Sequence, residues 1–204
     1  MSTIKNLLEA RFSANSFDTN RPVTEKQIEE LIRLATLAPS AYNFQNWKFI
    51  AVTSSASKEK LKSAAYNQQK VVDAGVTFIV CGTLNAHRTL ESTLSASQGK
   101  GILDQATVDA WVGMAKGSHE GNPQLQRDEA FRSASLAAMT LMVAAQDMGL
   151  ATGPMSGFDP RAVSEAFALP EEIVPVMLVA AGYATGGNWP QKPRKNVSDV
   201  LSFA

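Results

Sequence analysis

The sequence contains one cysteine and two histidines, which leaves little material for disulfide bonds or metal centres. A single thiol cannot close an internal disulfide, and Cys81 lies in the apolar run VTFIVCG, which indicates a buried structural thiol and a reducing compartment. His87 and His119 do not stand at metal-ligand spacing from the cysteine or from each other. The sequence therefore gives no support to a disulfide scaffold or a zinc site.

The chain also lacks an excess of charge of either sign and lacks long apolar runs. Lysine plus arginine equals aspartate plus glutamate at 19 each, so no global field would attract nucleic acid or an anionic membrane. No stretch approaches the roughly 18 uninterrupted apolar residues of a membrane span, and the first residues, MSTIKNLLEARFS, do not resemble a secretion signal. We expect a cytoplasmic protein without nucleic-acid or membrane partners.

The common catalytic motifs are missing as well. No GxSxG elbow, Walker phosphate loop or GxGxxG follows a predicted strand, and no pair of carboxylates stands out from the polar helix faces. These absences argue against the simplest hydrolase, NTPase, Rossmann dehydrogenase and glycosidase assignments. They favour chemistry that is carried by a bound cofactor.

Length and patterning predict a single α+β domain spanning residues 1–204. The chain is 45% hydrophobic, which suffices for one well-covered core. Apolar periodicity predicts strands at 47–52, 76–82 and 175–183, a turn-rich loop at 149–160, and helices at 2–10, 24–38 (ended by Pro39), 57–65, 104–116, 128–148 and 160–168. Because the strands are few and widely separated, we expect helices to cover a small central sheet.

Four segments carry more directed polar groups than their structural positions require. They are ARFSANSF, APSAYNFQNWKF, AYNQQKVVDAG, and the pair formed by GPMSGFD and the late KPRK. Each alone can be a solvated loop or a capped helix end. Together they provide cations suited to a phosphate and glycines that permit close backbone approach to a flat group.

In order and spacing these segments resemble the nitroreductase family of FMN-dependent NAD(P)H oxidoreductases. The likeness extends over almost the whole chain: an RxSxR/K element at 11–15, PSxxNxQPW at 39–47, NxxKxxD at 67–73, GLGxxPxxGF at 149–158 and KxR at 192–194. The resemblance implies a three-layer sandwich with a small, mostly antiparallel central sheet covered by helices. It also implies an interlocked homodimer with FMN sites at the subunit interface.

The resemblance further implies which residues bind FMN and that no side chain acts as a catalytic acid or nucleophile, since the chemistry occurs at flavin N5. Arg11, Ser13, Lys192 and Arg194 would hold the phosphate, and Asn67 and Lys70 would line the pyrimidine rim of the ring. The segment from Pro154 to Gly157 would pack on the ring, and Pro39, Ser40 and Asn43 would reach the cofactor of the other subunit. The full implied set is Arg11, Phe12, Ser13, Asn15, Pro39, Ser40, Asn43, Asn67, Lys70, Pro154, Met155, Ser156, Gly157, Lys192 and Arg194.

Three residues depart from the family pattern. Asn15 replaces the second basic residue of RxSxR/K, so we expect a weaker neutral donor at the phosphate and a lower FMN affinity. Ser156 stands where the family often has a glutamate, which could change substrate preference or flavin potential. Asn46 replaces the proline of QPW, and we expect a local change in loop stiffness there.

The implied activity is transfer of hydride from NAD(P)H to FMN and then, by a ping-pong mechanism, to nitroaromatics or quinones. Residues 84–127, with Trp111 and His119, would form the lid that selects the acceptor. One alternative is a flavin-binding carrier or sensor without efficient turnover, which the departures at Asn15 and Ser156 would suit. A second is other flavin chemistry such as dehalogenation or desaturation, against which the short lid argues.

Overall fold

A four-stranded antiparallel sheet forms the centre of the computed structural model, which describes residues 3–204. Its strands lie in the spatial order β1-β2-β4-β3. Their bounds are Trp47–Val52 (β1), Val76–Thr83 (β2), Ala151–Met155 (β3) and Ile173–Gly182 (β4). The prediction of a small antiparallel sheet is confirmed.

Helices cover both faces of this sheet. Their bounds are Ile4–Ala10 (α1), Glu25–Ala35 (α2), Ser55–Ala64 (α3), Lys70–Asp73 (α4), Leu90–Gly99 (α5), Gln105–His119 (α6), Pro123–Asp147 (α7) and Pro160–Ala166 (α8). Short 3₁₀ turns occur at Ala41–Asn43, Ala86–Arg88 and Val197–Asp199.

The alternation of side chains along β2 separates the two halves of the core. Phe78 and Val80 pack with Leu31 of α2 and Leu141 of α7 on one face. Ile79 and Cys81 pack on the other face with residues of α3, α4 and α8. Because successive strand residues point to opposite faces, a fully apolar strand such as VTFIVCG must be covered on both sides. The predicted three-layer arrangement is confirmed.

The helix α7 is longer than the sequence pattern indicates. It begins at Pro123, with the Asn122 side chain accepting a hydrogen bond from the Leu125 N–H, whereas the pattern predicts a start near 128. The first turns of α7 are polar, so apolar periodicity does not indicate where this helix begins. Asn followed by Pro is nevertheless a good signal for a helix N-terminus. Within residues 3–204, no helix combines the length and apolar character needed to cross a membrane.

The predicted loop at 149–160 is wrong in part, because residues 151–155 form β3. Gly149, at φ 72°, ends the preceding turn, and Ala151 then begins to pair with Gly182 of β4. Gly153 and Pro154 look like turn residues in the sequence. A proline is nevertheless compatible with the outer strand of a sheet, and small residues allow other chain segments to approach closely.

Residues 84–127 contain more regular structure than predicted, since α5 was not foreseen and α6 extends to His119. These helices enclose a third apolar cluster that includes Phe44, Leu90 and Leu94. His119 is buried there, with its ring 5.2 Å from that of Phe44 and 5.9 Å from that of His87. Among the described residues, no group of three or more histidine, cysteine, aspartate or glutamate side chains could hold a metal ion.

We expect Cys81 to be unreactive in the folded protein. The residue has no exposed surface, and burial raises the pKa of its thiol to about 12, so the reactive thiolate is disfavoured. A chromogenic disulfide reagent at pH 8 should give no reaction in native buffer and one thiol per chain in concentrated guanidinium chloride. Rapid labelling of the native protein would contradict the placement of this strand in the core.

Candidate functional site

The segment after α1 lies against the outer edge of β3. Ser13 forms a parallel bridge with Thr152, and the Ala14 N–H donates to the Thr152 carbonyl oxygen at 2.9 Å. A few residues on, Phe17 bridges to Ala184 just after β4. The beginning of the chain is thereby fixed along the strand that was predicted to be a loop.

The C-terminal segment is hydrogen-bonded to the same part of the chain. Asn188 Oδ1 accepts from the backbone N–H groups of Asn15 at 2.7 Å and Ser16 at 3.0 Å, and its Nδ2 donates to the Ser16 carbonyl at 2.9 Å. Gln191 Nε2 donates to the carbonyls of Leu8 at 3.0 Å and Arg11 at 2.8 Å. Neither Asn188 nor Gln191 was predicted as a site residue, because an amide in a turn-rich tail has no distinctive sequence signal.

These contacts bring the two chain ends together around a small basic cavity of about 120 Å³. Its lining residues are Arg11, Phe12, Ser13, Trp189, Pro190, Gln191, Lys192 and Arg194. Arg11 Nη1 is buried without a hydrogen-bond partner, and the Lys192 ammonium lies 5.0 Å from the centre of the Trp189 ring. None of these lining residues is acidic. A buried guanidinium nitrogen without an acceptor favours binding of an anion here.

A fourth cation, Lys70, contacts the Ser13–Asn15 segment. Lys70 begins α4, and its Nζ donates to Asn15 Oδ1 at 3.1 Å. Partial burial lowers the pKa of Lys70, since desolvation disfavours its charged form. Asn15 therefore contacts Lys70 in this structure, whereas the sequence argument placed it at a phosphate.

Gly153 forms the floor between these groups. A Cβ atom at this position would lie 2.3 Å from the Ala14 carbonyl oxygen and 3.8 Å from Lys70 Cδ. Only glycine permits β3 and the Ser13–Asn15 segment to approach this closely. The result is close packing of β3 on the Ser13–Asn15 segment beside Lys70.

The loop after β3 is held against the residues that precede α4. Gln68 Nε2 donates to the Gly157 carbonyl at 2.7 Å and to the Ala65 carbonyl at 3.1 Å. Asn67 and Ser156 are exposed on either side of this contact, and Asn67 adopts a positive φ of 58°. Gln68, which was not predicted, thus joins two of the predicted segments.

The turn segment, residues 39–43, adopts an unusual backbone path. Tyr42, Asn43 and Gln45 have φ values of 50°, 57° and 49°. Ser40 Oγ accepts from the Gln45 N–H at 2.9 Å, so this hydroxyl already has a role within the turn. Pro39 and Asn43 are exposed. Asn46, just beyond the turn, is only 3% exposed, and its Oδ1 is without a protein partner.

Within one chain, the strand that follows the turn segment lies at the opposite edge of the sheet from β3. The turn segment precedes Trp47, which pairs with Gly82, which in turn pairs with Val174 of β4. Gly153 pairs with Ala180 on the opposite side of β4. The two points are therefore three strand spacings apart across the sheet and several residues apart along it, which amounts to roughly 20–25 Å. Among the described residues, no hydrogen bond or ring contact joins Pro39, Ser40 or Asn43 to Arg11 or Lys70.

Comparison with known proteins decides the family. Residues 8–183 match the family model described as "Nitroreductase family". The chain belongs to the nitroreductase family. Among its relatives in this family is the Bacillus subtilis protein YodC, provisionally named an NAD(P)H nitroreductase, which is 36% identical over 184 residues covering 90% of this chain and 91% of YodC. The similarly named MhqN of the same organism is 34% identical over 205 residues, with both chains fully covered.

Solved nitroreductase structures share the fold. The provisionally named nitroreductase ydfN of B. subtilis superimposes with a TM-score of 0.92 at 33% identity, covering 98% of each chain. A provisionally named nitroreductase from Exiguobacterium sibiricum, solved in complex with FMN, gives a TM-score of 0.92 at 28% identity, covering 100% of this chain and 98% of that one. The resemblance and the fold inferred from the five motifs are therefore confirmed.

We expect Gly153→Ala to disrupt the site, because the added methyl group would collide with the Ala14 carbonyl and displace the Ser13–Asn15 segment from β3. The variant should lose the binding of any ligand that requires this segment, measured by titration of the purified protein with FMN. Gly113→Ala is the matched control, because a Cβ there meets no atom within 4 Å and alanine suits a helix interior. Equal FMN binding by both variants would contradict the proposed floor.

Proposed function

We propose that this protein is an FMN-dependent oxidoreductase that uses NAD(P)H to reduce nitroaromatics or quinones. The observation that carries the proposal is the basic cavity formed by the two chain ends, with the buried Arg11 Nη1 atom, beside the close contact at Gly153. The naming of YodC as an NAD(P)H nitroreductase and the FMN complex of the E. sibiricum neighbour support it. When bound, FMN would supply the redox chemistry, accepting hydride from NAD(P)H and passing it to the acceptor in a ping-pong cycle.

The basic cavity suits the phosphate group of FMN. A phosphate that is near dianionic at neutral pH forms its strongest hydrogen bonds with arginine and lysine, and the cavity provides Arg11, Lys192 and Arg194. The Ser13 hydroxyl adds a neutral donor. The hydrogen bonds from Asn188 and Gln191 fix these groups before a ligand arrives, which lowers the conformational cost of binding.

The residues beyond the cavity suit the flavin ring. Lys70 would place a cation near N1 and O2, which favours the reduced, anionic ring. Asn67 can donate and accept along the same rim, and the segment Pro154, Met155, Ser156 and Gly157 would cover the edge that carries N5 and O4. This chain contributes position and charge, and we assign no side chain as a proton donor because protons can come from water.

We also propose that the protein acts as a homodimer in which residues 39–43 complete the partner's site. Residues 39–43 lead into β1, at the opposite edge of the sheet from β3, which supports their reaching the cofactor of a second copy. An apolar groove of about 610 Å³ between α1, α2 and α7 offers a surface for that copy, with Ile4, Leu37 and Met139 exposed in it. The exposed Phe203 at the end of the tail is a further apolar group that a partner would cover.

We propose that residues 1–204 form a single FMN-binding domain and that the protein works in the cytoplasm. NAD(P)H is available there, and the one buried thiol needs no oxidising compartment.

The reductase proposal is tested by anaerobic mixing of FMN-loaded protein with NADPH and, separately, NADH. We expect the flavin absorbance near 450 nm to bleach with at least one nucleotide and to return when a nitroaromatic or quinone is added. Retention of FMN without bleaching would contradict the reductase proposal and favour a flavin carrier or sensor. Failure to take up FMN at all would contradict both functions.

The proposed dimer predicts complementation between two defective variants. Arg11→Ala impairs the half of the site that each chain contributes to its own cofactor. Asn43→Gly removes the side-chain amide from the turn segment, and glycine tolerates the positive φ at this position. If Asn43 serves the partner's site, unfolding and refolding the two variants together should restore FMN binding at about a quarter of the sites. Random pairing makes about half of the dimers mixed, and each mixed dimer has one intact site and one doubly defective site.

The matched control is a mixture of Arg11→Ala with Gly153→Ala, because both changes affect the same half-site and no dimer of the two contains an intact site. FMN retention after gel filtration is the measurement. Recovery in neither mixture would show that Asn43 does not act across subunits, and equal recovery in both would show that Arg11 and Gly153 are not in one half-site.

A further inference from the structure

The hydrogen bond between Lys70 and Asn15 lies at the centre of the candidate site. Lys70 Nζ donates to Asn15 Oδ1 at 3.1 Å, and the residues lie 55 positions apart in the chain. The contact joins the start of α4 to the segment that runs along β3. It differs from the sequence-based expectation, in which Asn15 is a weakened donor to a phosphate.

Asn15 is itself fixed by its surroundings. Its backbone N–H donates to Asn188 Oδ1 at 2.7 Å, and the preceding Ala14 N–H donates to the Thr152 carbonyl at 2.9 Å. The backbone that carries the short Asn15 side chain is therefore bound on both sides, although the residue itself is exposed. A long, flexible lysine side chain gains most from such a fixed acceptor, because it otherwise occupies many rotamers.

We propose that Asn15 is a positioning residue that holds the Lys70 ammonium group beside the flavin ring and thereby sets the preference of the site for reduced over oxidised FMN. The proposal rests on the proposed function. An amide oxygen directs the ammonium without cancelling its charge. A carboxylate at this position would neutralise the ammonium, and a second cation would repel it.

We therefore expect replacement of Asn15 to change the flavin midpoint potential more than it changes FMN retention. Without the amide oxygen, Lys70 samples positions farther from N1 and O2, and the reduced, anionic ring loses stabilisation. We expect Asn15→Leu to lower the preference for reduced over oxidised FMN by about tenfold, which corresponds to a potential about 30 mV lower for a two-electron couple. The change leaves in place Arg11, Lys192 and Arg194, which are proposed to hold the phosphate.

The first experiment is a double-mutant cycle in the flavin midpoint potential, measured with a reference dye in the FMN-loaded protein. Asn15→Leu and Lys70→Met should each lower the potential, and the double variant should equal Lys70→Met alone because Asn15 acts through Lys70. Asn20→Leu is the control, since Asn20 is exposed in a turn away from Lys70, and it should leave the potential unchanged. Additive effects of the two changes, or an unchanged potential in Asn15→Leu, would overturn the proposal.

The second experiment needs no flavin, so it separates failure of this proposal from failure of the proposed function. Lysines of the apoprotein are dimethylated with ¹³C-formaldehyde, and the Lys70 resonance is assigned by its loss in Lys70→Met. We expect this resonance to shift in Asn15→Leu and to stay in place in Asn20→Leu. The same position in wild type and Asn15→Leu would overturn the contact, whether or not the protein reduces a substrate.

Asn15→Asp distinguishes positioning from structural damage. It retains the acceptor oxygen, so the Lys70 amine should remain as immobile in the apoprotein as in wild type, as judged from its resonance linewidth. The added negative charge should still lower the flavin potential. A wild-type potential in Asn15→Asp would show that the charge at Lys70 does not control the flavin and would overturn the proposal.

Discussion

The close backbone contact between residues 13–15 and β3 is the constraint on which the candidate site depends. The Ala14 N–H bonds to the Thr152 carbonyl, and the Ala14 carbonyl oxygen occupies the space that a side chain at Gly153 would need. This contact fixes Ser13, which lines the basic cavity with Arg11, and Asn15, to which Lys70 donates a hydrogen bond. The basic cavity and Lys70 are therefore both joined to one short segment that β3 holds in place.

The C-terminal segment completes this arrangement through neutral amides. Asn188 and Gln191 bond to backbone groups near Arg11, so the cations Lys192 and Arg194 lie beside a third cation without an intervening carboxylate. Concentrating positive charge in this way is unfavourable until an anion binds. Three cations around one small cavity therefore indicate an anionic ligand more strongly than any single residue does, and FMN, with which the E. sibiricum neighbour was solved, carries such an anionic group.

The sequence predicts the layered fold and most of the site segments because their signals are local. VTFIVCG must be buried on both faces, and the Thr24 capping box, which the structure contains, marks the start of α2. Other features depend on distant partners and could not be predicted. β3 contains Gly153 and Pro154, which look like turn residues until β4 pairs with them, and the contact of Asn15 with Lys70 depends on two segments 55 residues apart. Residues 39–43 lead into β1, which lies at the opposite edge of the sheet from β3, and no local pattern specifies this strand order.

The central claim is that the joined chain ends form a binding site for the phosphate of a flavin. The most direct measurement compares the affinities of the apoprotein for FMN and for riboflavin, which differ only in the phosphate, by quenching of flavin fluorescence at low salt. Because charge-assisted hydrogen bonds to the cavity cations are each worth about 1.5–3 kcal/mol, we predict FMN to bind at least about 100-fold more tightly. Equal affinities for the two flavins would contradict the account.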